Sequence, residues 1–227
     1  MTDFIFIRHG ETDWNRQQRF QGQIDVPLNA AGHAQAKLLA AHLGRSARSE
    51  GFFSSDLMRA QQTAAPLASA WGATPLLHAG LREQAFGVLE GLDAATIRGQ
   101  HPELWSRWLE HRADYALPGG GESLRSFHHR VVDAVRELAE AHANAHANAH
   151  ANAHADPHAD RSLTVVTHGG VLDMLWRTAH GLSLDGLREC EIPNTGINRL
   201  RWRAGTLEVL GWADARHLLD AAPPLTA

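Results

Sequence analysis

Two apolar, β-branched runs constrain this chain more than any other feature: Phe4-Ile5-Phe6-Ile7 near its start and Leu163-Thr164-Val165-Val166-Thr167 near its end. Neither contains a turn former, so each reads as a buried strand of a sheet covered on both faces. Both stop in the same way. The first is followed by Arg8-His9-Gly10 and the second by His168-Gly169. In open α/β sheets ligands collect just past the carboxyl ends of the strands, which is where these histidines would stand.

The stretches between the two runs alternate. Asn29 to Gly44 has a cap at one end and a glycine at the other and predicts a helix. Residues 51–55 predict a short strand, Asp56 to Ala70 a helix with Arg59 in its first turn, and Pro75 to His78 a third strand. Leu81 to Leu92 has no clear period. Helical patterns return at Asp93 to Arg112 and, after Pro118-Gly119-Gly120-Gly121, at Glu122 to about Ala141. Val171 to Gly181 is again helical, and residues 196–202 and 206–212 predict a hairpin about Ala204-Gly205. The expected fold class is therefore α/β, a three-layer α/β/α arrangement with a mainly parallel central sheet and an antiparallel edge. A length of 227 residues suits one domain, 1–227.

Composition removes several alternatives. A net charge of −4 with signs well balanced argues against a nucleic-acid partner, and the Phe4–Ile7 run is too short for a membrane span or signal peptide. Cys190 is the only cysteine, so an intramolecular disulfide is impossible and a cytoplasmic setting is expected. Lys37 is the only lysine among 21 basic residues, so one arginine taken alone carries little information. A His/Ala/Asn repeat occupies about 141–160, with His142, His146, His150, His154 and His158 four residues apart. On a helix such spacing would allow i, i+4 pairs to bind zinc or nickel, but a tandem expansion that lengthens a connection is the preferred reading.

The chemistry-bearing residues share one preference. Arg8 and Arg59 offer planar forks that match phosphate oxygens, and the helix terminus near Arg59 is expected to add backbone donors. Positive surroundings favour a neutral imidazole, the nucleophilic form, so His9 is a candidate for attack on phosphorus to give a phosphohistidine. Its other ring nitrogen then needs an acceptor, for which a nearby backbone carbonyl would serve. With arginines and His168 supplying positive charge, no Mg²⁺ or other cofactor is expected, and the sequence has neither a P-loop nor an Asp-rich metal motif.

These motifs resemble the histidine phosphatase superfamily in its phosphoglycerate-mutase-like branch. The matching segments are Arg8-His9-Gly10-Glu11-Thr12 with Trp14-Asn15, residues 19–28 with Gly32, residues 54–64, Leu81-Arg82-Glu83 with Phe86-Gly87 and Glu90-Gly91, Gly121-Glu122-Ser123, and residues 166–170, in the family's order from about 3 to 212. The resemblance implies a phosphoglycerate-mutase-like fold with His9 as the phosphorylated nucleophile. Arg8, Arg59 and His168 would hold the phosphoryl oxygens. Glu83 would protonate the leaving oxygen and then activate water. Asn15, Gln21, Gly22 and Gly169 would contact substrate.

Within the family, mutases carry a tyrosine soon after the acid where this chain has Phe86, and their paired arginines are not evident around Trp105-Ser106-Arg107-Trp108. The Gln21-Gly22-Gln23 loop is more similar to the hydrolase members. An apolar wall of Phe86, Trp105 and Trp108 would suit bulky leaving groups, although tryptophans on a helix are more often core. The expectation is thus a metal-independent phosphomonoesterase acting on a small phosphorylated metabolite. Cofactor-dependent phosphoglycerate mutase is the alternative, and an idle phospho-ligand binder or a protein interacting through its histidine repeat comes third. The family includes monomers, dimers and tetramers, so the resemblance leaves the oligomeric state open, with a homodimer among the possibilities.

Overall fold

The computed structural model describes residues 1–45, 49–150 and 160–219. Its sheet comprises β1 (Thr2–Arg8), β2 (Ser49–Ser54), β3 (Leu76–Leu77), β4 (Asp160–Thr167), β5 (Ile197–Arg203) and β6 (Thr206–Asp214), side by side in the order β3-β2-β4-β1-β5-β6. The first four are parallel to one another, while β5 runs antiparallel to both β1 and β6. The expected mainly parallel sheet with an antiparallel edge is what forms. At the hairpin turn Ala204 (φ 48°) and Gly205 (φ 85°) both take positive φ, the twist that two-residue hairpins favour.

The register of β1 against β4 sets up everything that follows. Arg8 stands opposite Thr167, so His9 and His168 leave the sheet at the same level on neighbouring strands, and the His9 amide donates to the Thr167 carbonyl at 2.9 Å.

Helices cover both faces: α1 (Asp13–Arg16), α2 (Ala30–Leu43), α3 (Met58–Trp71), α4 (Ala94–Gln100), α5 (Pro102–Leu109), α6 (Leu124–His150) and α7 (Gly169–His180). Alternation along β1 divides the core. Phe4 and Phe6 point into one cluster with residues of α6 and α7, while Ile5 and Ile7 point into another with Leu39 of α2 and Ala60, Ala64 and Leu67 of α3. Local signals explain the helix ends. Asn29 accepts from the Gly32 amide at 2.8 Å, and Gly72 and Gly181 end α3 and α7 in the left-handed region.

Three expectations are adjusted. The 93–112 stretch is two helices, because Pro102 excludes a helical conformation at His101 (φ −134°, ψ 58°) and then starts α5. The third strand contracts to Leu76–Leu77 at the sheet edge. The helix expected to end near Ala141 continues to His150, drawing the start of the repeat into regular structure. His142 is bonded to Glu50 (2.7 Å) and Thr2 (3.3 Å), and among the described residues no three His, Cys, Asp or Glu side chains gather as metal ligands. His154 and His158 lie outside the described residues. No described helix is long and apolar enough to cross a membrane.

Phe6 is fully buried between β4 and β5. Phe6→Ala is expected to cost about 3–5 kcal/mol, read as a lowered urea midpoint at unchanged slope; a loss under about 1 kcal/mol would contradict this packing.

Candidate active site

The backbone at the end of β1 is fixed on all sides. The His9 carbonyl accepts from Asn194 Nδ2 at 2.9 Å, and the Gly10 amide donates to Thr63 Oγ1 at 2.9 Å. A Cβ on Gly10 would lie 2.7 Å from the Gly32 carbonyl oxygen, so only glycine allows this approach of the first loop to α2. The His9 ring is only 3% exposed, and its Nδ1 is 2.7 Å from the Gly10 carbonyl oxygen. A carbonyl can only accept, so Nδ1 carries the proton and Nε2 keeps its lone pair. The backbone acceptor expected from the sequence is therefore the next residue's own carbonyl.

His168 lies beside it, with ring centroids 5.2 Å apart. It is fully buried, and its Nε2 is 2.8 Å from Ser55 Oγ. Arg59 is also fully buried. It donates from Nη1 to the Ile24 carbonyl (2.9 Å) and from Nη2 to that of Gly22 (2.7 Å). Arg8 donates from Nη1 to the Ile192 carbonyl at 2.6 Å. Neither arginine has a carboxylate partner among the described residues. Three nitrogens of this group, Arg8 Nε, Arg59 Nε and His168 Nδ1, are buried without any hydrogen-bond partner. Unpaired buried nitrogens are uncommon in folded proteins, and the two guanidinium N–H groups, which can only donate, call for a ligand that accepts.

Electrostatics follow from this crowding of cations. Burial pushes both Arg8 and Arg59 down to about 10, with Arg188 adding to the effect on Arg8. Burial, then Arg59 and Arg8, hold His9 well below the ordinary imidazole range. His168 is lowered in the same way by burial, Arg59, His9 and Arg8. Both histidines are neutral at pH 7.

Glu83 approaches from the other side. Its Oε2 accepts from the Gly170 amide and its Oε1 from the Gln84 amide, each at 2.9 Å. Arg130 grips the strand-like segment that carries it, donating to the carbonyls of Gly80, Arg82 and Glu83 at 3.0–3.1 Å while pairing with Glu122 at 2.6 Å. The Glu122 of the Gly-Glu-Ser motif thus acts on Glu83 through Arg130.

The remaining sequence-selected residues gather at the same cleft of about 270 Å³, which Asn15, Gln21, Gly22 and Gly169 line together with Arg8, His9, Arg59 and Glu83. Asn15 and Gln21 both bond to Thr12, which fixes the first loop. Gly22 takes φ +53°, and a Cβ there would overlap Glu90; its carbonyl is consequently free to hold Arg59. One expectation is corrected here. The first amide of α3 is taken by Asp25 and is not offered to the cleft, while the start of α7 lines it at Gly169.

A second cavity of about 390 Å³ adjoins the cleft, and Phe20, Glu83, Phe86 and Arg188 line both. Phe86 and Trp108 form part of its wall as expected. Trp105 does not: it packs behind, against the cluster of Leu89, Ile97 and Leu117. Arg188 escaped the sequence reading because it lies in an irregular segment of an arginine-rich chain, with no local signal to single it out.

Comparison with known proteins places this geometry in context. The model described as histidine phosphatase superfamily (branch 1) matches residues 4–215. Phosphoglycerate mutase-like protein 4 of Arabidopsis thaliana is 34% identical over 95% of this chain and 86% of its own length. A metal-independent phosphoserine phosphatase from the same plant is 32% identical over 96% and 84%. Among solved structures, a mycobacterial glucosyl-3-phosphoglycerate phosphatase in complex with VO3 superposes with a TM-score of 0.76 at 28% identity, covering 95% of this chain and all of that one.

The depressed histidines set a pH signature. Between pH 6.5 and their lower folded values the unfolded chain takes up protons that the folded chain does not, so stability falls as pH drops through that window. Catalysis that needs neutral His9 should likewise persist below pH 6.5, its acid limb appearing only beneath that value once the substrate's own ionisation is divided out. An acid limb in kcat/KM centred at or above pH 6.5 would contradict this assignment.

Proposed function

The chain belongs to the histidine phosphatase superfamily, and from that premise we propose that it is a metal-independent phosphomonoesterase that hydrolyses small phosphorylated metabolites through a phosphohistidine on His9. The supporting observation is the ring of buried, partnerless nitrogens, Arg8 Nε, Arg59 Nε and His168 Nδ1, next to a His9 whose Nε2 is unprotonated. A phosphoryl group supplies the oxygen acceptors that these donors lack.

In the first step His9 Nε2 attacks phosphorus; the P–N bond forms as the ester P–O bond breaks, and protonated Glu83 gives its proton to the leaving oxygen. The arginines and His168 bind the equatorial oxygens as charge redistributes. In the second step the Glu83 carboxylate takes a proton from water, whose oxygen attacks phosphorus. The P–N bond breaks, phosphate departs, and His9 returns to its neutral tautomer. Glu83 lines both the phosphoryl cleft and the neighbouring cavity, so a leaving group seated in that cavity carries its ester oxygen past the carboxyl group.

The likeness to a phosphoglycerate mutase-like protein favours phosphate transfer between positions of phosphoglycerate as the second reading. Phosphoserine and glucosyl-3-phosphoglycerate are substrates named for the phosphatase relatives, and they head the candidates here. The reading also takes residues 1–227 as one domain and the cytoplasm as its setting, which suits the single Cys190.

Inorganic phosphate release from a panel of monoesters, 3-phosphoglycerate included, is expected to survive excess EDTA and to vanish in His9→Ala. Conversion of 3- to 2-phosphoglycerate without release would instead establish the mutase. Glu83→Gln should lower kcat about 10²- to 10⁴-fold for esters with poor leaving groups and less for p-nitrophenyl phosphate, which needs little protonation. Equal losses on both would remove Glu83 from the acid role.

A further inference from the structure

The cavity beside the phosphoryl cleft has features that hydrolysis of a minimal ester does not use. Its volume of about 390 Å³ falls in the range of pockets that enclose a drug-sized ligand, far beyond a three-carbon acid. One wall is aromatic and rigid. Phe20, Phe86 and Trp108 meet one another edge to face at centroid distances of 5.2–5.6 Å, so the apolar surface is already set before any ligand arrives.

The charges on the other walls are unequal. Asp173 is the carboxylate at the far end, and Arg177 largely neutralises it through a 3.1 Å ion pair. The rest of the Arg177 guanidinium is consumed by the carbonyls of Ser183, Asp185, Gly186 and Leu187. Arg177 is thus structural: it folds the loop that presents Arg188. Arg188 retains only a long 3.8 Å contact to Asp173 and lines both the cavity and the phosphoryl cleft. Across from it Arg112 makes no ion pair and no side-chain hydrogen bond among the described residues, and Arg107 only lies over the Tyr115 ring at 5.8 Å. Positive charge therefore exceeds negative charge around an aromatic slot.

We infer that the cavity is a leaving-group subsite for an alcohol that bears a ring and a second anionic group, with Arg188 and Arg112 as the residues that select the charge. This inference rests on the phosphomonoesterase reading and narrows it from small phosphorylated metabolites in general. The ring lies against Phe86 and Trp108. The second anion meets Arg188 at the junction, or Arg112 deeper in, and the ester oxygen stays beside Glu83. Charge-assisted bonds to guanidinium groups are directional and depend on the anion, whereas the aromatic wall depends on the ring alone, so the two contributions separate experimentally.

The test uses three esters: 4-(carboxymethyl)phenyl phosphate, 4-ethylphenyl phosphate of near-equal leaving-group basicity, and phosphoserine. Wild-type kcat/KM is expected to be at least about tenfold higher for the carboxylated aryl ester than for either of the others, and the Arg112→Gln/Arg188→Gln double variant should collapse the ratio between the two aryl esters to near one. Both positions are exposed, and a melting temperature verifies that the variant is folded. Equal wild-type rates on the two aryl esters, or a preference that survives the double variant, would overturn the subsite while leaving the phosphatase reading intact. A preference for phosphoserine would overturn the ring requirement. Absence of His9-dependent phosphate release from all three would overturn both readings together.

Discussion

Two guanidinium groups, Arg59 fully buried and Arg8 half-buried, meet at the end of this sheet with no carboxylate paired to either, and the rest of the site is organised around that fact. An unpaired buried cation costs several kcal/mol. Here the protein compensates in part with backbone, through the carbonyls of Gly22, Ile24 and Ile192. Carbonyl dipoles stabilise the charge without cancelling it, so the cleft keeps a net demand for an anion. Burial, reinforced by the same uncancelled charge, keeps both histidines neutral, so His9 does not become a third cation.

That arrangement depends on backbone held at close range. Gly10 approaches Gly32 so tightly that a Cβ would meet the Gly32 carbonyl, and Gly22 uses a positive φ to aim its carbonyl at Arg59. On the opposite wall Arg130 ties the carbonyls of Gly80, Arg82 and Glu83 to Glu122 and fixes the segment bearing Glu83. His9 and Glu83 thus sit on separately braced elements, one at the end of β1 and one in a clamped loop. The cavity between α5, the start of α7 and the loop after it is bounded by exposed arginines and aromatic faces, so variation there can alter substrate choice without disturbing the phosphoryl pocket.

Much of this was readable in advance. The strand character of Phe4–Ile7 and Leu163–Thr167, the Asn29 cap and the Ala204-Gly205 turn are local properties, and local rules identified them. His9, Arg8, Arg59, His168 and Glu83 were selected because the motifs that contain them recur in a fixed order; Arg8, His9, Arg59 and Glu83 line one cleft, with His168 buried beside His9. Reading failed where the answer was not local. The α3 terminus looked like an anion site until Asp25, from another loop, occupied its first amide. Trp105 and Trp108 are equivalent in the sequence pattern and both pack against the Leu89, Ile97 and Leu117 cluster, yet only Trp108 also reaches the cavity. The helix expected to stop near Ala141 runs on into the repeat, where alternate alanines favour helix.

By itself, then, the sequence determined which strands are buried and which residues its motifs single out as candidates, because periodicity, caps and residue type are short-range properties. Tertiary structure alone decided that His9 and His168 are neighbours, since a parallel register is set by packing between strands far apart in the chain. It also decided which helix terminus faces the cleft and that Arg188 stands between two cavities. Arg188 is where it is because Arg177 folds the preceding loop through four backbone carbonyls, and no pattern in the segment itself encodes that geometry.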